Sequence, residues 1–476
     1  MRVSLITEGT YPYVMGGVSS WCHDLVEGLP DVQWHLVPIT AGGIRRKPLF
    51  DLPEHVTLER GIELWSRPIG RNRRRRRQQP AAAEQHLLPA DLTRLVLGTD
   101  TDTGELIDLF GKCRRSPEWA RNAFRSAEAW EYFLEELDRV CRAQNSDLFV
   151  DVQYSALEAT ELWQTLYWLT ATAATPLPES DVVLLTAAGW GAAMAAAHRT
   201  ENDVPVMLAE HGIYVREAYL EAARTGPPAG RQFTTTRLAR GLSRLSYALA
   251  DQISPVCDSH HPWERALGAR EDQLRTIVNG VTRPPRPAPA GDPSNGKVVT
   301  TVGRIDPLKD VVTMLRAARQ VLDAEPDARF VHYGPVSDAN RDYYNMCLRV
   351  HAELDLGDRF EFRGPTEDPR KAMREADIYL STSISEGLPL SLLEAMSEGR
   401  PVVSTSVGGC ADAIRGCGVL VNAGDAFGIG HGIRFLLDNP DTAQMMGRRG
   451  FRRIGRRFSS EEQLRHYADT FEVLTA

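Results

Sequence analysis

Two glutamates, Glu386 and Glu394, stand eight positions apart in a stretch that predicts a strand, a helix and a second strand. The short apolar run from Ile378 to Ser383 is typical of a buried strand. Pro389 suits the first position of the helix, and Gly399 suits the position just past its end. We therefore expect Glu386 at the mouth of the helix and Glu394 about one turn inside it.

Backbone amides lie between these two carboxylates, at Gly387, Leu388, Leu390 and Ser391. Amides at a helix N-terminus have no partner within the helix and favour an anion such as a phosphate. Carboxylates repel phosphate but accept hydrogen bonds from hydroxyl groups, so the stretch has the chemistry to bind a sugar nucleotide. The alternative is that Glu386 caps the helix and Glu394 is a solvated helix residue. Taken alone, the stretch fits both interpretations equally.

A basic pair follows a second predicted strand, at Arg304 and Lys309. Arginine offers a planar fork for phosphate oxygens, and lysine a point charge. The alternative is a surface salt-bridge pair. Their position directly after a strand favours the phosphate interpretation, because ligand sites of open α/β sheets lie beyond the carboxyl ends of strands.

These motifs resemble those of the large retaining glycosyltransferase family GT4. The stretch that contains the two glutamates resembles its E-x7-E motif, and residues 303–309 resemble its G-R-x-x-x-x-K element. Residues 279–281, 16–17 and 210–212 match three further elements, and all five stand in the family's order. The first 40 residues resemble a narrower branch, the Pel exopolysaccharide glycosyltransferases of the PelF type.

The resemblance implies an α/β fold of the GT-B type, with two Rossmann-like domains facing a central cleft. It also implies transfer, with retained anomeric configuration, from a nucleoside-diphosphate sugar. Glu394 would bind the ribose hydroxyls, Glu386 a hydroxyl of the donor sugar, and His211 the sugar. The catalytic residues would be Arg304, Lys309, Glu386 and His211; the donor-binding residues would be Gly16, Gly17, Arg304, Lys309, Gly364, Thr366, Glu386, Gly387, Leu388, Pro389, Leu390 and Glu394.

Two of these elements carry little signal without the resemblance. Gly16 and Gly17 could form an ordinary turn, although paired glycines also let backbone amides approach a ligand. His211 follows a predicted strand and could be a satisfied histidine in a turn. The glycines do not form a G-x-G-x-x-G fingerprint, so a nicotinamide or flavin site is not indicated.

Length and composition limit the classes of fold and function that the chain can have. A chain of 476 residues predicts more than one domain, and a net charge of −8 argues against a dedicated nucleic-acid binder. No apolar run reaches the length of a membrane span, and the N-terminus predicts a strand and not a signal peptide. The seven cysteines include no C-x-x-C pair, which indicates reduced thiols and a cytoplasmic protein.

We predict no metal and no cofactor, with the nucleotide sugar as co-substrate. Many transferases hold a metal with a D-x-D motif, and Asp100-Thr101-Asp102 fits that pattern. It lies far in sequence from the other motifs, inside an irregular region, so we discount it.

The chain divides into three predicted parts. Residues 1–285 form an N-terminal Rossmann-like acceptor-side domain with an irregular insertion at about 41–116, and residues 286–455 form the nucleotide-sugar-binding domain. Residues 456–476 form a helix that, by resemblance, packs back on the first domain. Thr282 to Gly296 is rich in Pro, Gly and Ala, which is typical of a linker. The arginine run Arg71 to Arg77 predicts a solvated loop.

Several functions remain open at this point. The best-supported one is transfer from UDP-glucose or a related UDP-sugar to a glycan or small-molecule acceptor in exopolysaccharide synthesis, with peripheral association to a membrane polysaccharide-synthesis complex. The alternatives are another GT-B enzyme such as a phosphorylase or epimerase, a non-catalytic sugar-nucleotide sensor, and an anionic-surface scaffold built on the arginine run.

Overall fold

The computed structural model describes residues 1–42, 47–66, 84–99, 102–148, 152–288 and 297–476. These residues form two compact units: the first comprises Met1–Pro255, His261–Thr276 and Asp469–Ala476, the second Val256–His260 and Ile277–Ala468. The arginine run, Asp100, Thr101 and the linker residues 289–296 lie outside the described residues.

The first unit is built on a parallel sheet of seven strands among the described residues. The strands are β1 (Arg2–Glu8), β2 (Gln33–Ala41), β3 (Val56–Leu58), β4 (Ile62–Leu64), β5 (Val182–Leu185), β6 (Val206–Glu210) and β7 (Gln252–Pro255). Their order is β3-β2-β1-β5-β6-β7, and β4 also pairs with β2. The chain moves outward in one direction from β1 and in the other from β5, so the topological switch point lies between these two strands.

Ten helices of the first unit are described: α1 (Gly17–Gly28), α2 (Leu88–Leu97), α3 (Thr103–Arg115), α4 (Pro117–Ala123), α5 (Ala127–Leu148), α6 (Ala156–Ala173), α7 (Gly191–Arg199), α8 (Tyr214–Thr225), α9 (Ala229–Leu249) and α10 (His261–Ala266). The region at 41–116 is more regular than its composition predicts. It contains β3, β4, α2 and α3, and Leu92, Leu95 and Phe110 are fully buried in one apolar cluster with side chains of α5, α6 and α9. The short strands β3 and β4 give a weak local signal, which is why the sequence pattern did not identify them.

The second unit is built on a parallel sheet of six described strands. They are β8 (Lys297–Val302), β9 (Ala328–Tyr333), β10 (Phe360–Gly364), β11 (Ile378–Ser381), β12 (Val402–Thr405) and β13 (Val419–Val421). Their order, β10-β9-β8-β11-β12-β13, places the switch point between β8 and β11. The Rossmann-like organisation expected for this half is therefore confirmed, and the strand expected from Ile378 to Ser383 is β11.

The helices of the second unit are α11 (Val311–Ala324), α12 (Arg341–Glu353), α13 (Pro369–Arg374), α14 (Leu390–Ser397), α15 (Cys410–Ala413), α16 (Ala426–Asp438) and α17 (Pro440–Arg457). The last helix, α18 (Ser460–Thr475), begins among residues of the second unit and ends among those of the first, where Phe471 packs against Trp34. None of the described helices is both long enough and apolar enough to cross a lipid bilayer.

A repeated aspartate fixes the edge of both sheets opposite the switch-point loops. Asp181, Asp251 and Asp377 each stand directly before a strand, and each accepts a 2.8 Å hydrogen bond from an amide at the start of a neighbouring strand. The first amides of a strand otherwise lack a partner at the sheet end, so these side chains satisfy them and hold the strand register.

Candidate functional site

The loop after β8 carries both basic residues of the predicted phosphate site. Asp306 organises this loop, because its two oxygens accept hydrogen bonds from the Leu308 amide at 2.9 Å and the Asn340 side-chain amide at 3.0 Å. The result is a short turn with Lys309 at its end. Arg304 points to solvent and makes no hydrogen bond or ion pair with the described residues, so its guanidinium is available to a ligand.

Lys309 forms an ion pair with Glu386. Nζ lies 2.5 Å from Oε1 of the carboxylate, which also accepts a 2.6 Å hydrogen bond from the Ser383 hydroxyl. The Lys309 side chain is 28% exposed and that of Glu386 12% exposed, so solvent screens the pair less than a surface salt bridge. Thr382 donates a 2.8 Å hydrogen bond to the Lys309 carbonyl. Strand neighbours β8 and β11 thus bring together residues that are 77 positions apart.

Four backbone amides of the segment between the two glutamates have no hydrogen-bond partner among the described residues. The amides of Gly387, Leu388, Leu390 and Ser391 donate no hydrogen bond to any described residue, and no side chain caps α14. Pro389 does not occupy the first helical position as predicted; it stands one residue earlier, with an extended ψ of 127°. Its carbonyl still accepts the first bonds of the helix, from the amides of residues 392 and 393. The predicted anion site at the helix mouth is therefore available in the fold.

The turn after β12 packs against the loop that carries Glu386 and fixes its position. Gly408 has a φ of +52°, and a Cβ there would lie 2.1 Å from the Glu386 carbonyl oxygen. The next residue, Gly409, donates a 2.6 Å hydrogen bond from its amide to the Gly387 carbonyl. On the other side, Asn279 donates a 2.7 Å hydrogen bond from its side chain to the Leu388 carbonyl. The loop that carries Glu386 is thus fixed through its carbonyls, and the four amides named above stay without a partner among the described residues.

Glu394 lies on the second turn of α14 and is half-buried. Its charge and that of Glu386 both act on the Tyr379 phenol, which donates a 2.8 Å hydrogen bond to the Ser391 hydroxyl. Burial raises the pKa of Tyr379, and the two carboxylates raise it further. Both glutamates therefore lie in electrostatic range of the same phenol.

A small cavity lies beside the Lys309–Glu386 pair and is lined also by Thr301, Met314 and His332. The sequence analysis did not identify His332, because a histidine inside an apolar strand carries no local functional signal.

One ring nitrogen of His332 is hydrogen-bonded, and the other has no partner among the described residues. Its Nε2 lies 3.0 Å from the Gly303 carbonyl, so Nε2 carries the proton and Nδ1 is an acceptor, which has no hydrogen-bond partner among the described residues. Burial lowers the pKa of His332 to about 4, so the ring is neutral at pH 7. The histidine therefore anchors the loop that carries Arg304 and presents an acceptor to the cavity.

Two of the predicted donor-binding residues, Gly364 and Thr366, lie at or just after the end of β10. Gly364 has a φ of +70°, and its carbonyl accepts a 2.8 Å hydrogen bond from the Gly334 amide. The hydroxyl of Thr366 accepts a 3.3 Å hydrogen bond from the Asp368 amide. Because β10 is two strands from β8 in a parallel sheet, these residues share the edge that carries Arg304 and Lys309.

The remaining predicted site residues belong to the first unit. Gly16 and Gly17 lie at the start of α1, and a Cβ on either would meet no atom within 4 Å, so their surroundings are open. His211 follows β6, and its ring packs edge-on against Trp21 of α1 at 4.3 Å. Burial lowers the pKa of His211 to about 4, and its Nε2 has no hydrogen-bond partner among the described residues. The first unit thus brings its glycines and its histidine to the carboxyl end of one sheet.

Two family models match the chain. Residues 1–272, more than half of the chain, match a domain of unknown function, DUF3492, and residues 296–439 match the family described as Glycosyl transferases group 1. The second match contains Arg304, Lys309 and both glutamates.

Curated relatives include D-inositol 3-phosphate glycosyltransferases. The one from Streptomyces scabiei is 28% identical over 262 residues, which cover 51% of this chain and 57% of the relative. The one from Salinispora tropica is 33% identical over 187 residues, which cover 38% and 39%. The chain therefore spans little more than half the length of the first relative and less of the second.

Solved structures match almost the whole chain at low identity. HepE from Anabaena, in complex with UDP and glucose, is 14% identical with a TM-score of 0.61 and covers 99% of both chains. Sucrose-phosphate synthase from Thermosynechococcus elongatus is 17% identical with a TM-score of 0.63 and covers 99% of this chain and 98% of its own. These neighbours share the fold, and the predicted GT-B class is confirmed.

We expect Gly408→Ala to destabilise the protein more than Gly416→Ala. Both glycines have a positive φ, of 52° and 71°, but a Cβ at Gly416 meets no atom within 4 Å. Gly416→Ala should cost about 1–2 kcal/mol for the backbone conformation alone. Gly408→Ala adds the overlap with the Glu386 carbonyl and should cost about 2–5 kcal/mol.

The measurement is thermal and denaturant unfolding of both variants beside the parent protein. Equal losses of stability in the two variants would show that the Glu386 loop moves away without cost, and that Gly408 does not fix it.

Proposed function

We propose that this chain transfers a sugar from a nucleoside-diphosphate donor to a hydroxyl acceptor. The chain belongs to the DUF3492 family, and a group 1 glycosyltransferase domain follows the DUF3492 region in the sequence. The observation that carries the proposal is the Lys309–Glu386 ion pair at the mouth of α14, beside four amides with no partner among the described residues. A cation and open amides suit a diphosphate, and the adjoining carboxylates suit the hydroxyls of ribose and sugar.

The reaction breaks the bond between the anomeric carbon of the sugar and the diphosphate oxygen. The acceptor oxygen bonds to the same carbon from the same face, and the acceptor proton passes to the departing diphosphate. This course retains the anomeric configuration without a protein nucleophile. Negative charge grows on the diphosphate as the bond breaks, and Arg304 and Lys309 would stabilise it, because fixed donors aimed at developing charge are often the largest catalytic contribution.

Each remaining residue takes a role that its position supports. Glu386 would accept a hydrogen bond from a donor-sugar hydroxyl while it also accepts hydrogen bonds from Ser383 and Lys309. Glu394 would accept from the ribose hydroxyls, and the backbone from Gly364 to Thr366 would meet the base. Gly16, Gly17 and His211 would contact the sugar or diphosphate from the first unit.

UDP-glucose is the donor we propose first, with a glycan or small-molecule acceptor and a place in exopolysaccharide synthesis. The resemblance of the first 40 residues to the PelF type supports this choice, and HepE, whose fold the chain shares, binds UDP and glucose. We also propose that the reaction takes place in the cytoplasm; the seven cysteines are all unpaired and buried, which suits a reducing compartment.

We propose further that transfer needs neither a metal nor a cofactor. Arg304 and Lys309 supply the positive charge that a metal supplies in other transferases. The described residue of the D-x-D pattern, Asp102, caps α3 by accepting a 3.0 Å hydrogen bond from the Glu105 amide.

The alternatives make different predictions for the same protein. A sugar-nucleotide sensor would bind the donor without turnover, and an epimerase would convert the sugar without an acceptor. A screen of UDP, GDP and ADP sugars by thermal shift, followed by product analysis with and without candidate acceptors, separates these functions from transfer.

We expect Arg304→Ala and Lys309→Ala each to lower kcat by about 10²- to 10³-fold, the usual effect of removing one donor aimed at developing charge. The matched control is Arg341→Ala, an exposed arginine of α12 that pairs only with Asp338 among the described residues. Steady-state donor hydrolysis and transfer are measured for all three variants, with melting temperature as the folding check. Near-parental kcat at saturating donor in both site variants would rule out the diphosphate assignment.

We expect full activity after exhaustive treatment with a chelator. The protein is dialysed against EDTA, assayed in metal-free buffer, and assayed again with Mg²⁺ or Mn²⁺ restored. Loss of activity that returns with added metal would contradict the charge-stabilising role of the two basic residues.

A further inference from the structure

The outer side of α17 carries a line of arginines. Arg448, Arg452 and Arg456 are spaced by four residues, so their side chains follow one another along one face of the helix, and Arg449 stands beside them. All four are exposed, and together they extend over about 12 Å. We call these four residues the α17 arginine stripe.

The stripe places four exposed arginines on one helix face without an acidic partner among the described residues. On other helices four exposed arginines each pair with an acid one turn away: Arg139 with Glu136, Arg142 with Asp138, Arg224 with Glu221, and Arg465 with Glu462. Among the described residues no carboxylate lies within ion-pair distance of any stripe residue. The nearby Asp412 is engaged by Arg453 and Arg457, at 3.5 and 2.9 Å.

The inner side of α17 fixes the direction in which the stripe faces. Phe451 and Ile454 are buried, and a Cβ on Gly447 would lie 2.1 Å from the Gly399 carbonyl. The helix therefore cannot turn its arginines inward. Like charges one turn apart destabilise a helix, so a stripe held outward without acids is a feature that an external anion would stabilise.

We propose that the α17 arginine stripe docks the protein on a lipid bilayer that carries anionic phosphate headgroups. Guanidinium groups pair with phosphate oxygens through two parallel hydrogen bonds. Met445, which is 41% exposed, lies three and four residues before Arg448 and Arg449 and so extends the same face with an apolar side chain. A bilayer interface accommodates both kinds of group on one helix face.

The charge of the whole chain favours a membrane over a nucleic acid. The net charge is −8, and a long polyanion would meet repulsion beyond the 12 Å of the stripe. A bilayer needs contact with only one face of the protein. The proposal does not depend on the proposed transfer reaction, since no stripe residue belongs to the donor site.

The test compares two quadruple variants of the full chain that remove the same charge. In the stripe variant Arg448, Arg449, Arg452 and Arg456 are changed to Gln. In the control variant the four paired arginines Arg139, Arg142, Arg224 and Arg465 are changed to Gln. Binding is measured by co-sedimentation with vesicles of phosphatidylcholine alone or with 30% phosphatidylglycerol, at low, physiological and high salt, with circular dichroism as the folding check.

The parent should bind the anionic vesicles and not the neutral ones, and its binding should weaken as salt rises. The stripe variant should bind about a hundredfold more weakly, the control variant within about threefold of the parent. A third variant with Lys at the four stripe positions keeps the charge and should retain most of the binding.

Donor hydrolysis measured in parallel should be unchanged in the stripe variant. Absence of parental binding to anionic vesicles, or equal loss in the stripe and control variants, would overturn the proposal. So would parental binding to soluble polyphosphate or nucleic acid in preference to vesicles.

Discussion

The ion pair between Lys309 and Glu386 is the interaction on which the candidate site depends. It requires β8 and β11 to be neighbours, since each residue stands in the loop after one of these strands. That adjacency exists because the chain leaves β8 toward one edge of the sheet and returns to start β11 on its other side. A parallel sheet with such a reversal opens a crevice between the two loops, and side chains from both can then face one ligand.

Several residues around this ion pair donate hydrogen bonds to backbone carbonyls of the loops that carry it. Ser383 and Thr382 direct their hydroxyls to the carboxylate of Glu386 and the carbonyl of Lys309. Asn279, Gly409 and His332 occupy the carbonyls of Leu388, Gly387 and Gly303. With these carbonyls satisfied inside the protein, the amides at the mouth of α14 remain for a ligand. An anion site made of backbone amides needs this arrangement, because a loop that could turn over would present acceptors instead of donors.

Arginine serves two purposes in this protein, and its surroundings distinguish them. Some exposed arginines pair with an acid on the same helix, and such pairs contribute little to stability but keep the local surface neutral. Arg304 and the α17 stripe lack such partners among the described residues, although the chain has more acids than basic residues. In the stripe four such arginines share one helix face, where external phosphate groups would balance their charge.

The sequence alone determined several local elements of the candidate site. The apolar run from Ile378 to Ser383 located β11 to within two residues, and the spacing of Glu386 and Glu394 placed one at the helix mouth and the other inside. Gly399 was correctly placed past the end of α14, where its φ is +74° and its amide bonds back to Met396. These features depend on neighbours within one or two turns, so the local pattern contains them.

The tertiary structure decided what distant segments do to one another. It paired Lys309 with Glu386, added Ser383 and His332 to the site, and moved Pro389 to the position before the helix. It also decided which elements the two helices between residues 88 and 115 bury their apolar sides against. Short elements of this kind gain their stability from packing against residues more than 20 positions away, and strand order decides which loops meet. The periodicity of a single segment predicts neither this long-range packing nor the strand order.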